Sequence, residues 1–210
     1  CGGDDDRPVS CDLDSQKASL RAYMHGWYLW SGLSPNPDPA PYATLSDYLD
    51  ALRYGGAPQK AAQLLNQAIA QNPNVAGYYL QLALLQHGNK GNVPGTAVQN
   101  LEKALQLGLS DPRQRAMAHQ LLGQHALDKG QGPKALDHLD QAIRITETGT
   151  EPPINPLFKA NVYHLRSMVQ YRLNQPELAL QDARQAVLLA QGNDQATAFY
   201  QQKLEMIERG

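Results

Sequence analysis

The chain has 210 residues, 42% of them hydrophobic and 18% charged, with a formal net charge of −2. That is enough apolar material for a folded core, which excludes wholesale disorder, and the near-neutral balance argues against a basic nucleic-acid-binding face. No run approaches the roughly 20 apolar residues of a spanning helix, and the two cysteines cannot build a disulfide framework or a four-cysteine zinc site.

The first ten residues, with Gly2-Gly3-Asp4-Asp5-Asp6 after Cys1, have the composition of a flexible tether. Cysteine in first position ahead of such a tether resembles the start of a mature bacterial lipoprotein. The resemblance implies a lipid on Cys1, and Gly2 resembles the sorting residue of outer-membrane members. The expected location is therefore the outer membrane, on its periplasmic or cell-surface side, with membrane contact through the lipid alone. A lipidated Cys1 would leave Cys11 without an intramolecular partner, and a Cys1–Cys11 disulfide is the alternative. The acids Asp4, Asp5, Asp6, Asp12 and Asp14 lack the spacing of a calcium loop and read as solvated.

Residues 1–54 form a compositional block. Eight acidic and four basic residues leave it formally at −4, so the remainder carries +2. Both tryptophans and five of the ten tyrosines fall there, gathered around Tyr23, Trp27, Tyr28 and Trp30. Alternating prolines at Pro35, Pro37, Pro39 and Pro41 force extended chain. A short helix over 45–52 follows, capped by Thr44 or Ser46 and stopped by Gly55-Gly56. The stretch Cys11-Asp12-Leu13-Asp14-Ser15-Gln16-Lys17, with Tyr28-Leu29-Trp30, Pro35 to Pro39, Tyr42 and Asp47 to Leu52, resembles the segment preceding the catalytic domain of lipoprotein tail-specific (C-terminal processing) serine peptidases. No Ser-Lys catalytic domain follows here, so the resemblance implies an envelope docking segment and no protease.

From residue 57 a pattern recurs: a small residue, an apolar residue four later, alanine seven later. It reads Ala61, Leu65, Ala68; Ala97, Leu101, Ala104; Ala135, Leu139, Ala142; and Ala179, Ala183, Ala186. A second amphipathic helix precedes each of the last three, through Tyr79, Leu82, Ala83; His119, Leu122, Gly123; and Tyr163, Arg166, Ser167. Small residues on both partners let two antiparallel helices approach closely, and repetition near 34 residues is the mark of a helical solenoid. These residues resemble the tetratricopeptide repeat. The expected fold is all-α: a tetratricopeptide-like solenoid of about four helix pairs. The first helix of the first pair would come from residues 44–53. A helix over 194–209 is expected to close the stack with a polar outer face, through Ala198, Leu204 and Ile207. The domains are a tether at 1–10, a docking segment at 11–54, the solenoid at 55–193 and a capping helix at 194–210.

Catalytic chemistry finds little support. His119 and His125 are six apart and lie on different sides of one helix, and His138 and His164 belong to other helices. Gly88, Gly91 and Gly95 lack the lysine and strand of a phosphate loop, and neither Ser31 nor Ser167 has a base at useful spacing. No catalytic, metal or cofactor site is expected, and no small-molecule substrate or nucleic acid. The repeat resemblance implies binding along the first helices, at Gln120 and Gln124 in the third copy and Asn161, His164, Met168, Tyr171 and Arg172 in the fourth. Trp27, Tyr28 and Trp30 would either fill a partner's pocket or cap the first repeat. The expected role is a non-catalytic, lipid-anchored scaffold whose partners are other proteins or copies of itself. A filament subunit, and a substrate or adaptor of a tail-specific protease, stand as alternatives.

Overall fold

The computed structural model describes residues 13–14, 17–18, 58–88, 92–148 and 153–209. The chain divides into two compact units, residues 1–67 and 68–210. In the first unit Leu13, Asp14, Lys17 and Ala18 are helical, and buried Lys17 pairs with Asp14 at 3.7 Å. The division falls within the first long helix, α1 (Pro58–Gln71), which buries Ala61 and Leu65. The helix expected over 45–52 and its relation to α1 lie outside the described residues.

The second unit holds α2 (Ala76–His87), α3 (Gly95–Leu107), α4 (Pro112–Asp128), α5 (Gly132–Glu147), α6 (Pro156–Arg172), α7 (Pro176–Leu189) and α8 (Asp194–Glu208). Helix starts follow from local chemistry. Asp111 and Asn155 accept hydrogen bonds from the Arg113 and Leu157 backbone N–H groups, at 2.9 and 2.8 Å, and each precedes a proline at the first helical position. Proline there gives up only an amide with no helical partner, while the side-chain oxygen satisfies another. Asn193 caps α8 in the same way through Ala196 N–H.

Helices pair heavily in the order α2 with α3, α4 with α5, and α6 with α7, and each pair stacks on the next. The small residues lie where the pairs are tightest. Ala83, Gly123 and Ser167 on the first helices are buried, as are Ala97, Ala135 and Ala179 facing them. Around these points run successive apolar clusters. One joins Leu80, Leu101, Leu109 and Leu122; the next joins Leu127, Leu139, Val162 and Val169. The last two seat Tyr200, Leu204 and Ile207 of α8 on Ala160, Ala179, Ala183 and Ala186. The helix α4 serves the first two clusters, and α6 the second and both of the last, which makes the core continuous along the stack.

The turns between partners repeat as well. Gly130 and Asn174, 44 residues apart, both adopt left-handed backbone, with φ of 68° and 58°. The next amide in each case bonds five residues back, Gln131 N to Ala126 O at 2.8 Å and Gln175 N to Gln170 O at 2.9 Å. This closure terminates the first helix and reverses the chain within a few residues. The capping helix departs from expectation in one respect. Leu204 and Ile207 are buried as expected, but Ala198 is exposed, and Phe199 and Met206 face solvent at 46% and 43% exposure.

Candidate functional site

The first helices of consecutive pairs touch one another, α4 with α6 and α6 with α8, so they form one continuous face of the second unit. The face carries residues that stay partly or fully exposed. On α4 these include Gln124, which is half-buried. On α6 they include Asn161, half-buried, and Arg172, exposed. Arg172 is held in place, since its guanidinium donates to the Leu127 carbonyl at the end of α4, 3.0 Å away. A cation on the carbonyl end of a helix also meets the negative end of its dipole.

Other expected groove residues are committed to packing. Gln120 is 8% exposed and belongs to the wall between helices, so it offers little to a partner. Met168 packs against the core cluster of α4, α5 and α6, and Tyr171 against that of α7 and α8. His164 lies under α8, its ring 5.6 Å from that of Phe199 and 5.5 Å from that of Tyr200. Burial, with the positive charge of Lys203, pulls its pKa down to about 4, so this imidazole is neutral at pH 7. Cys1, Trp27, Tyr28 and Trp30 lie outside the described residues.

Three features were not foreseen. Phe199, on the helix expected to be a polar cap, continues the face beyond α6, with the Lys203 ammonium 5.4 Å from its ring centroid. The spacing of Phe199 and Met206, seven residues on one helix, was the available signal. A polar network binds α5, α6 and α7. Arg166 forms a bidentate pair with Asp182 at 2.6 and 2.8 Å and reaches Asp140 at 2.7 Å. Burial alone would lower the Arg166 pKa, but its bonds to the two carboxylates raise it above its ordinary value. Nearby, Tyr163 donates to Glu147 at 2.6 Å, and its pKa is pushed up to about 12 by burial, then by that bond and charge. The third feature is a contact between His119 and His138, whose Nδ1 atoms are 3.2 Å apart.

Among the described residues no group of three or more His, Cys, Asp or Glu side chains could hold a metal ion, and no described helix is long and apolar enough to cross a membrane. The one described buried side-chain oxygen or nitrogen without a hydrogen-bond partner is Gln170 Oε1.

The paired antiparallel helices, small residues at their crossings and shared first-helix face define a tetratricopeptide-like helical solenoid. Among solved structures, the crystal structure of MamA is similar to this chain, with a TM-score of 0.51 and 18% identity. The match covers 80% of this chain and 96% of MamA, and at that identity the likeness is one of fold. No family model and no curated protein matches the sequence.

Proposed function

We propose that this protein is a non-catalytic scaffold that holds a protein segment along the face made by α4, α6 and α8. The observation that carries the reading is the composition of that face. Its accessible groups are amides and an aromatic ring, Gln124, Asn161 and Phe199, flanked by the cations Arg172 and Lys203. Amides can satisfy the backbone groups of an extended peptide, and an exposed ring supplies apolar contact at small cost in side-chain entropy. Such a surface selects a peptide by shape and hydrogen bonding.

In the same reading Cys1 carries lipid and holds the solenoid at the outer membrane. Support for that half comes from residues 11–54, whose sequence resembles the leading segment of envelope peptidase lipoproteins. Substituting Asn161→Ala with Phe199→Ser is expected to reduce partner recovery at least tenfold in affinity. Thermal stability should fall only modestly, since Phe199 is 46% exposed although its ring also meets those of His164 and Tyr200. Unchanged recovery by the double variant would contradict the binding face. For the anchor, mass spectrometry of the Cys1 peptide from native membranes should show diacylglycerol. An unmodified Cys1 peptide would contradict it.

A further inference from the structure

The third helix pair carries a titratable contact at its seam. His119 on α4 and His138 on α5 approach with Nδ1 atoms 3.2 Å apart, ring centroids 5.5 Å apart and planes tilted by 41°. The centroid separation exceeds the nitrogen separation by about two ring radii, so the two nitrogens point at one another. This is the geometry of one N–H donating to one bare nitrogen. The contact is therefore a hydrogen bond between the two rings, and among the described residues no group of three or more His, Cys, Asp or Glu side chains stands there to hold a metal ion.

Register comparison sets this pair apart from its counterparts. The same two positions hold Tyr163 and Asp182 in the next helix pair, and Tyr79 and Asn100 in the one before. Imidazole is the side chain whose charge ordinarily changes between pH 5 and 8, and among these six residues only the third pair places it there, twice. We infer that the His119–His138 bond is an acid-labile latch, closing α4 on α5 while it shares a single proton and opening the seam once both rings are charged. The proton count explains the two states. With both rings neutral, one donates Nδ1–H to the other's bare Nδ1. A first added proton can bind the donor's Nε2 and leave the bond intact. A second must bind the accepting Nδ1, which sets N–H against N–H and puts two cations in contact.

The surroundings hold the latch closed at neutral pH. Burial, above all, depresses both imidazoles, and His119 falls to about 4. Arg115 on α4 with Arg144 on α5 disfavours charge on His119, as Lys134 does on His138; Asp137 on α5 and Glu102 on α3 act in the opposite sense. Lys134 itself pairs with Glu102 at 3.6 Å, while Arg166 on α6 is engaged by Asp140 and Asp182.

The test uses the full chain. Long-range ¹H–¹⁵N spectra at pH 7.5 should show one of the two rings as the Nδ1–H tautomer and the other as Nε2–H. Both signals should move in a coupled titration below the ordinary imidazole range. Amide exchange, corrected for its intrinsic pH dependence, should show α4 and α5 losing at least tenfold more protection than α2 and α3 between pH 7 and pH 4. In His138→Asn, which installs the residue of the preceding pair, that excess should vanish. His164 lies outside the seam and is unaltered in the variant, so it cannot account for the difference. Two independent titrations near the ordinary value, or protection falling equally in all four helices, would overturn the latch. Should His138→Asn fail to fold, the wild-type titration and exchange decide alone.

Discussion

Asn174 sits at a backbone angle that nearly every L residue avoids, and its counterpart 44 residues earlier is Gly130. Asparagine tolerates the left-handed region better than other residues with a Cβ, and β-branched side chains tolerate it worst. Asn174→Val is therefore expected to destabilise the protein by about 1–2 kcal/mol, while Asn174→Gly should be neutral or mildly stabilising. Urea unfolding would measure both, and equal midpoints for Val and Gly would show that the turn relaxes. Arg166 presents a second case. Its partner Asp182 is only 5% exposed, so Arg166→Met leaves a carboxylate without its bidentate partner in a desolvated place. Such losses cost about 3–5 kcal/mol, whereas replacing both partners by apolar residues can be close to neutral. A double variant, Arg166→Met with Asp182→Leu, that melted no higher than Arg166→Met would contradict this account of the network.

Helix pairing rests on which residue faces which. Gly123 meets Leu139 so closely that a Cβ there would fall 2.7 Å from Leu139 Cγ and 2.9 Å from Cδ2. In the next pair the corresponding residues are Ser167 and Ala183, a larger residue facing a smaller one. Gly123→Ser is thus expected to cost about 1–3 kcal/mol through overpacking. Combined with Leu139→Ala, which alone leaves a cavity, it should be less destabilising than the two single costs summed, by about 0.5–3 kcal/mol. Strict additivity in that cycle would place the two side chains out of contact. The complementarity of small and apolar residues was legible in the sequence because close crossings demand it at fixed spacing, and the paired helices follow from it. What was not legible were contacts that cross between helices with no periodic signature. His138 reaches His119 from 19 residues away, and Arg166 takes one carboxylate from the helix before it and one from the helix after. Gln120 and His164 were assigned to an open groove because repeat register marks only a side of a helix; Gln120 is buried, and α8 lies over His164. Phe199 was missed for a different reason: α8 does not carry the repeat's spaced small residues, so an apolar residue on its exposed face gains no support from the repeat.

Acid sensitivity is a property of the whole stack. His119 and His164 each have a pKa of about 4 in the folded chain, chiefly from burial, against an ordinary 6.5. An unfolded chain takes up protons at these positions as pH falls through 6.5 while the folded chain does not, so unfolding becomes more favourable. Their contribution is fully present above pH 6.5 and is lost progressively down to about pH 4. The melting temperature should therefore decline across that window, and less steeply in His164→Gln. A flat profile would mean that both imidazoles are already protonated or solvated in the native chain. Because each helix pair contacts only its neighbours, local weakening at one seam need not unfold the rest.

The proposed binding surface is the face of α4, α6 and α8. A photo-crosslinking residue placed singly at Gln124, Asn161 or Phe199, and for comparison at the exposed Leu178 or Leu188 of α7, would test it directly in native cells. The expected result is one discrete protein adduct from all three positions on the first-helix face and none from α7. Adducts from Leu178 and Leu188 alone, or from none of the five positions, would contradict the account.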